Sequence, residues 1–239
     1  SIKKRSFNSQ YWTRLSSSLS DRGISTNWLH IYIKNDLLPS SKDAASAISA
    51  FNESENSNQT HVTLSGFLTI KVLKQTLTDW YSIRKQSRII EKAVAEKTHI
   101  KKYWPQIRND WNTSTYGKEA ITNLLMLNLF ESAFDGSTEG AKCVYLQENQ
   151  GWEFGMIQAW RSRKKGELIG FPHSTVRFWD LRYYFDPNTY NKKQNFNVPL
   201  PHKVACSGMA ARNAFEKSGY PAENLIDVEA LRYLHLSKL

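Results

Sequence analysis

Glu148 and His173 are the residues whose type and position first suggest chemistry. Glu148 stands just past the apolar run Cys143-Val144-Tyr145-Leu146, behind Gln147, and His173 follows Leu168-Ile169-Gly170-Phe171-Pro172. A carboxylate at a buried strand end, flanked by the amides Gln147, Asn149 and Gln150, is placed to face a cleft, where it suits proton abstraction or charge stabilisation. The alternative is a structural bond to the N-terminus of the following helix, although Glu153, one turn further on, is the better dipole partner. An imidazole at the second strand end can donate to a phosphate or a sugar hydroxyl. Its own alternative is a bond to a loop carbonyl. These two are the candidate catalytic residues.

Around them the chain gathers groups suited to binding. Asn149 and Trp152 lie in the loop and first helical turn behind Glu148, and Ser174 offers a hydroxyl or a helix cap. Arg177, Trp179, Asp180 and Arg182 crowd the segment VRFWDLRYYF. Guanidinium groups clasp phosphates bidentately, and aromatic rings stack on sugar or base faces. Pairing of Asp180 with Arg177 or Arg182 would instead hold the loop on the core. Ser174 sits in no GxSxG elbow, which weakens a hydrolase-nucleophile reading, and neither GxGxxG nor GxxxxGK[ST] occurs, which excludes classical dinucleotide and P-loop sites. The six histidines are scattered and neither cysteine belongs to a CxxC motif, so no metal site is expected.

The elements that position these residues follow from spacing. Residues 142–186 read as strand, helix (Trp152, Met156, Ala159, Trp160), strand, the form of a βαβ unit with parallel strands. In open α/β sheets ligands collect at the carboxyl ends of strands. Upstream, Phe7, Tyr11, Leu15 and Leu19 predict an amphipathic helix over 7–22, and Trp28 to Ile33 a buried strand. Lys42 to Phe51 reads as a short helix, 52–60 as a polar loop, and His61 to Leu64 as a short strand. Residues 65–97 are helix-compatible throughout; Trp104-Pro105 breaks that pattern, and a further short helix is expected over 106–115. Glu119 to Phe134 is apolar on most faces, as a helix buried against the sheet would be. Residues 186–201 look like a linker or lid. Strands at 202–206 and 225–228 flank a helix at 209–218 closed by Gly219. The alternation predicts an α/β fold, a mostly parallel Rossmann-like sheet flanked by helices with a helical insertion around 65–135.

Composition narrows the class further. With 239 residues, 40 % hydrophobic and 13 % aromatic, the chain can bury a sizeable core. Two cysteines, Cys143 and Cys206, fit a reduced pair better than a disulfide framework. The apolar runs are too short to span a bilayer. The start SIKKRSFNSQYW has charge but no apolar h-region, which reads as cytoplasmic. A net charge of +10 implies an acidic partner without naming it. Basic residues concentrated over 84–102 could meet phosphates or an anionic membrane, placing the protein at the inner face of the cytoplasmic membrane; the simpler reading is a solvated helix face. No helix-turn-helix, RRM or KH signature supports nucleic acid as the partner.

The segments YLQENQGWE, an Ala-Trp-Arg helix and LIGFPHSTVRFWDLRYY resemble a family of bacterial surface-carbohydrate biosynthesis proteins, and SGYPAENLIDVEALRYL, NSQYWTRL and TNWLHIYI resemble it too. More distantly, the arrangement is similar to the amino-terminal domain of GT-B glycosyltransferases of capsule and lipopolysaccharide assembly. Several of those end this strand in Gln-His-Gly where this chain has Pro172-His173-Ser174. The resemblance implies an acceptor-side domain over 1–196, with 197–239 supplying the last βαβ segment and the crossing to a second, largely absent domain. It implies a nucleotide-sugar donor as substrate, a glycan acceptor and no further cofactor. Glu148 would be the base or charge stabiliser at the anomeric centre, and His173, Ser174 and Arg177 would line the cleft. Glu229 and Arg232 would lie at the domain crossing. A non-catalytic carbohydrate-binding module is the alternative, and the isolated chain is expected to transfer little sugar.

Overall fold

A computed structural model describes residues 7, 9, 11–53, 58–97, 101–164, 166–173, 176, 179–184, 186 and 198–230. The expected lid falls mostly outside these residues. The fold is α/β, with parallel strands flanked by helices. The chain divides into two compact units: Ser1–Phe67 with Ser207–Met209 and Asp227–Leu239, and Leu68–Cys206 with Ala210–Ile226.

In the first unit, helix α1 covers Thr13–Asp21. It is shorter than the apolar spacing predicts, because Phe7 leaves the helical line to pack its ring on Trp28, His30, Phe51 and His61. Strand β1 is Thr26–His30 and pairs in parallel with β2, Gln59–Thr63, with Trp28 opposite His61. The expected strand over 28–33 is therefore displaced: pairing ends at His30, and Ile33 is exposed. Helix α2, Ser41–Asn52, begins with a capping box in which Asp43 N–H donates to Ser40 Oγ and Ser40 N–H returns the bond to Asp43 Oδ2. Asn52, expected in an idle loop, brackets β2 instead. Its Nδ2 donates to His61 O and its Oδ1 accepts from His61 N–H, both at 2.8 Å.

The second unit opens with helix α3, Ile70–Glu96, capped by Thr69 Oγ1, which accepts from Val72 N–H. Helix α4, Trp104–Thr115, starts where the sequence suggests a break: Pro105 occupies its first turn, where a missing N–H costs nothing. Helix α5, Lys118–Phe134, is buried through Leu124, Leu129, Phe130 and Phe134. Each of these side chains contributes about 2 kcal/mol of burial.

Strand β3 is Ala141–Gln147, helix α6 Gly151–Arg163 and strand β4 Gly166–Pro172. Helix α5 packs chiefly on α6 and α3. Asn128 of α5 donates to Asp79 Oδ2 of α3 at 2.9 Å and to Leu124 O, satisfying a buried amide between the two helices. Strand β5, Lys203–Cys206, helix α7, Met209–Lys217, and strand β6, Leu225–Asp227, are the last regular elements among the described residues. The sheet order is β3-β4-β5-β6, and among the described residues β1 and β2 form a separate two-stranded sheet. Val176, Tyr183, Val204, Phe215, Tyr220 and Leu225 belong to one core cluster. Cys143 and Cys206 are thiols, not a disulfide, and burial pushes the Cys143 thiol up to about 12.

Candidate active site

The parallel register aligns Gln147 with Pro172. The next pair across the two strands is therefore Glu148 and His173, at adjacent strand ends about 5 Å apart in backbone. Pro172 has no N–H to give the ladder. The last rung comes from His173, whose N–H donates to Gln147 O at 3.1 Å. That bond fixes the histidine backbone beside the glutamate. Glu148 Oε1 and His173 Nδ1 stand 3.3 Å apart, with both side chains about one-third exposed. Gln150 Nε2 donates to the other carboxylate oxygen at 3.3 Å.

Glu148 can be directed this way because Glu153 does the capping. The Glu153 carboxylate is fully buried and accepts from the N–H groups of Glu148, Asn149 and Gln150 at 3.0–3.2 Å. Burial pushes its pKa up, the three backbone bonds pull it back, and the Glu148 carboxylate pushes it up again. The N-terminus of α6 is a ready anion site in principle, and here the chain's own carboxylate occupies it. A substrate phosphate would have to be held elsewhere.

Asn149 takes a left-handed conformation, φ 55°, which Asn tolerates better than most residues. In that position its Nδ2 donates to Arg182 O at 2.8 Å, while its Oδ1 accepts from Gln147 Nε2 at 3.0 Å. The turn Leu181–Tyr183 is thereby tied to the end of β3. Tyr183 makes a second tie: its ring is in the core against Phe215, and its hydroxyl donates to Gln147 O at 2.9 Å. Gln147 is thus the hub beneath the pair. Its carbonyl takes two bonds, its amide orients Asn149, and its Oε1 has no hydrogen-bond partner among the described residues. Gly170, in the facing strand, leaves room for that amide; a Cβ there would lie 2.6 Å from Gln147 Oε1 and 3.2 Å from the Tyr145 hydroxyl. Burial, then the Glu153 charge, hold the Tyr145 phenol well above its ordinary range.

The expected site residues divide accordingly. Glu148, His173 and Asn149 come together. Arg182 and Asp180 also meet, but with each other: Nε–Oδ1 is 2.8 Å and Nη2–Oδ2 2.7 Å, a bidentate pair that holds the turn. Trp179 is 83 % exposed beside them. Trp152 faces away from the loop to stack on Phe130, with centroids 6.1 Å apart. Glu229 is exposed and belongs to the first unit. Ser174, Arg177 and Arg232 lie outside the described residues. Among the described residues no group of three or more His, Cys, Asp or Glu could hold a metal ion.

Sequence reasoning missed Gln147, Tyr183 and Gly170 as supports. The polar Gln147 ending an apolar strand was the one local signal for them. No protein-family model matches this chain, and neither does any curated protein or solved structure.

Proposed function

We propose that Glu148 and His173 form the proton-transfer couple of a sugar-transfer site. The observation that carries this reading is their 3.3 Å approach at adjacent parallel strand ends, open to solvent yet braced from below by Gln147, Glu153 and Tyr183. With Nδ1–H directed to the Glu148 carboxylate, Nε2 becomes the basic nitrogen of a neutral His173 ring. It takes the proton of an acceptor hydroxyl as the hydroxyl oxygen bonds to the anomeric carbon of the donor sugar. The bond from that carbon to the donor phosphate breaks, and the nucleotide leaves with the electron pair. Glu148 orients the ring and balances the imidazolium that results.

The sugar, the nucleotide and the surface-polysaccharide setting enter through the resemblance of residues 145–184 to carbohydrate-biosynthesis proteins. The 3.3 Å approach of the two side chains supports the proton-transfer roles. Sugar transfer from labelled nucleotide-sugar donors by the protein as the cell makes it is the test. Glu148→Gln and His173→Asn should each lower turnover about 100-fold or more while leaving the far-ultraviolet circular dichroism unchanged. Near-normal turnover by either variant would remove the couple from the mechanism.

Recognition without chemistry is the second reading, favoured by the wide exposure of Trp179, since an indole face can stack on a sugar ring. It requires a protein that binds glycan, loses binding on Trp179→Ala, and binds unchanged with Glu148→Gln.

A further inference from the structure

Helix α3 shows a surface that its packing does not use. Its inner face is set by Val72, Thr76 and Ser87, all buried. Along a neighbouring line run Ile70, Leu73, Leu77 and Tyr81, spaced three, four and four residues apart and therefore on one stripe. They are 73 %, 45 %, 57 % and 72 % exposed. Four large apolar side chains in a row on one helix form a patch of the kind that marks an interaction site; singly exposed ones carry no such meaning.

The same line continues through Arg84, Arg88 and Lys92, so its apolar half runs directly into a cationic half. Lys74 and Lys85 flank it, both exposed. Arg84 is half-buried, its guanidinium over the Trp80 ring at 4.6 Å and near the Tyr116 ring at 5.8 Å, so the exposed cations of the line are Arg88 and Lys92. Residues 70–102 hold nine Lys and Arg against three carboxylates. Two of those carboxylates are engaged within the unit: Asp79 with Asn128 and Gln75, and Glu91 with Arg108. The outer stripe therefore meets a partner with apolar and positive groups and little to repel an anion.

We propose that α3 docks the protein on an anionic lipid surface, its Ile70–Tyr81 stripe entering the headgroup boundary and its Arg88–Lys92 end lying over the anionic headgroups. Nothing in this depends on the reading of Glu148 and His173. An apolar stripe with Lys and Arg beside it, on a helix of modest overall hydrophobicity, is the pattern of helices that lie in the interface plane. No helix among the described residues is long and apolar enough to cross a membrane, so α3 would lie on the bilayer rather than span it. A nucleic-acid surface would use the cations and leave four exposed Ile, Leu and Tyr side chains without purpose. A lipid surface uses both halves.

The experiment is co-sedimentation of the whole chain with phosphatidylcholine vesicles, with and without a third of phosphatidylglycerol. The chain should pellet with the anionic vesicles and be released by high salt, because the cationic half is screened within a Debye length. Leu73→Ser with Leu77→Ser, and separately Lys85→Glu with Arg88→Glu, should each weaken partitioning about tenfold or more. All four side chains are exposed, so circular dichroism should remain that of the parent. Sedimentation equal on neutral and anionic vesicles, no sedimentation, or unchanged binding by both variants would overturn the proposal. A dimer by light scattering that Leu77→Ser dissolves, with no vesicle binding, would overturn it too and assign the stripe to a second copy of the chain.

Discussion

His61 and His173 each stand about one hydrogen bond from a second titratable side chain, and the protein treats them in opposite ways. His61 Nδ1 is 3.0 Å from His30 Nε2, across β1 and β2, with rings of Phe7, Trp28 and Phe51 around the pair. It is 1 % exposed, and burial followed by the neighbouring imidazole pushes its pKa down to about 4. Burial lowers His30 as well. Two neutral imidazoles sharing one proton in an aromatic cluster are a structural bond. His173 has a carboxylate for its partner, lies at a strand end and is open to solvent. The difference teaches that a histidine in this chain becomes a candidate for proton transfer only where the partner can carry a compensating charge and water or substrate can reach the ring.

The largest effect that would test this contrast is on stability. His61→Ala should cost the first unit roughly 2–4 kcal/mol through the cavity it leaves, read as lost hydrogen-exchange protection at Trp28–His30 and His61–Thr63. His173→Ala should change the protection of β3 and β4 by less than about 0.5 kcal/mol, as expected for a partly exposed side chain. Equal losses at both positions would erase the distinction.

Next is the pH dependence. A folded pKa depressed from 6.5 to about 4 means that the unfolded state binds more protons between those values. Stability from His61 is therefore present above about pH 6.5, is lost as the pH falls through the folded pKa, and amounts to a change on the order of 3 kcal/mol. Exchange protection of β1 and β2 should follow that decline, and His61→Phe should flatten it. A parent profile already flat between pH 7 and 4 would mean that His61 is not held neutral.

The smallest effect concerns the hub. Gly170→Ala should displace the Gln147 amide and cost about 1–2 kcal/mol, with a chemical-shift change at His173 in an imidazole NMR spectrum. An unmoved His173 signal would show that the pair does not depend on the support beneath it.

Much of this was legible locally. The strand–helix–strand spacing of residues 142–172 located β3 and β4 within two residues of their ends and the start of α6 within one, and Glu153 was recognisable as the helix's own carboxylate from its place in the first turn. Other residues misled for physical reasons. Phe7 continues a helical spacing but gains more by burying its ring among Trp28, Phe51 and His61. Trp104-Pro105 looks like a stop because proline ends helices, yet proline is equally suited to begin one. For Arg182 the sequence left phosphate binding and pairing with Asp180 both open, and the fold shows the pair, through Nε and Nη2.

By itself the sequence determined which segments are helix and which are strand, because apolar period, caps and proline act over a few residues. It also put a carboxylate and an imidazole at two strand ends. Tertiary structure alone decided that those ends are neighbours in register and that β1 pairs with β2. It decided as well that Gln147 braces the pair and that Leu73 and Leu77 face outward while Val72 and Thr76 face in. Each of those outcomes depends on which distant surfaces meet and exclude water, a choice made between residues far apart in the chain.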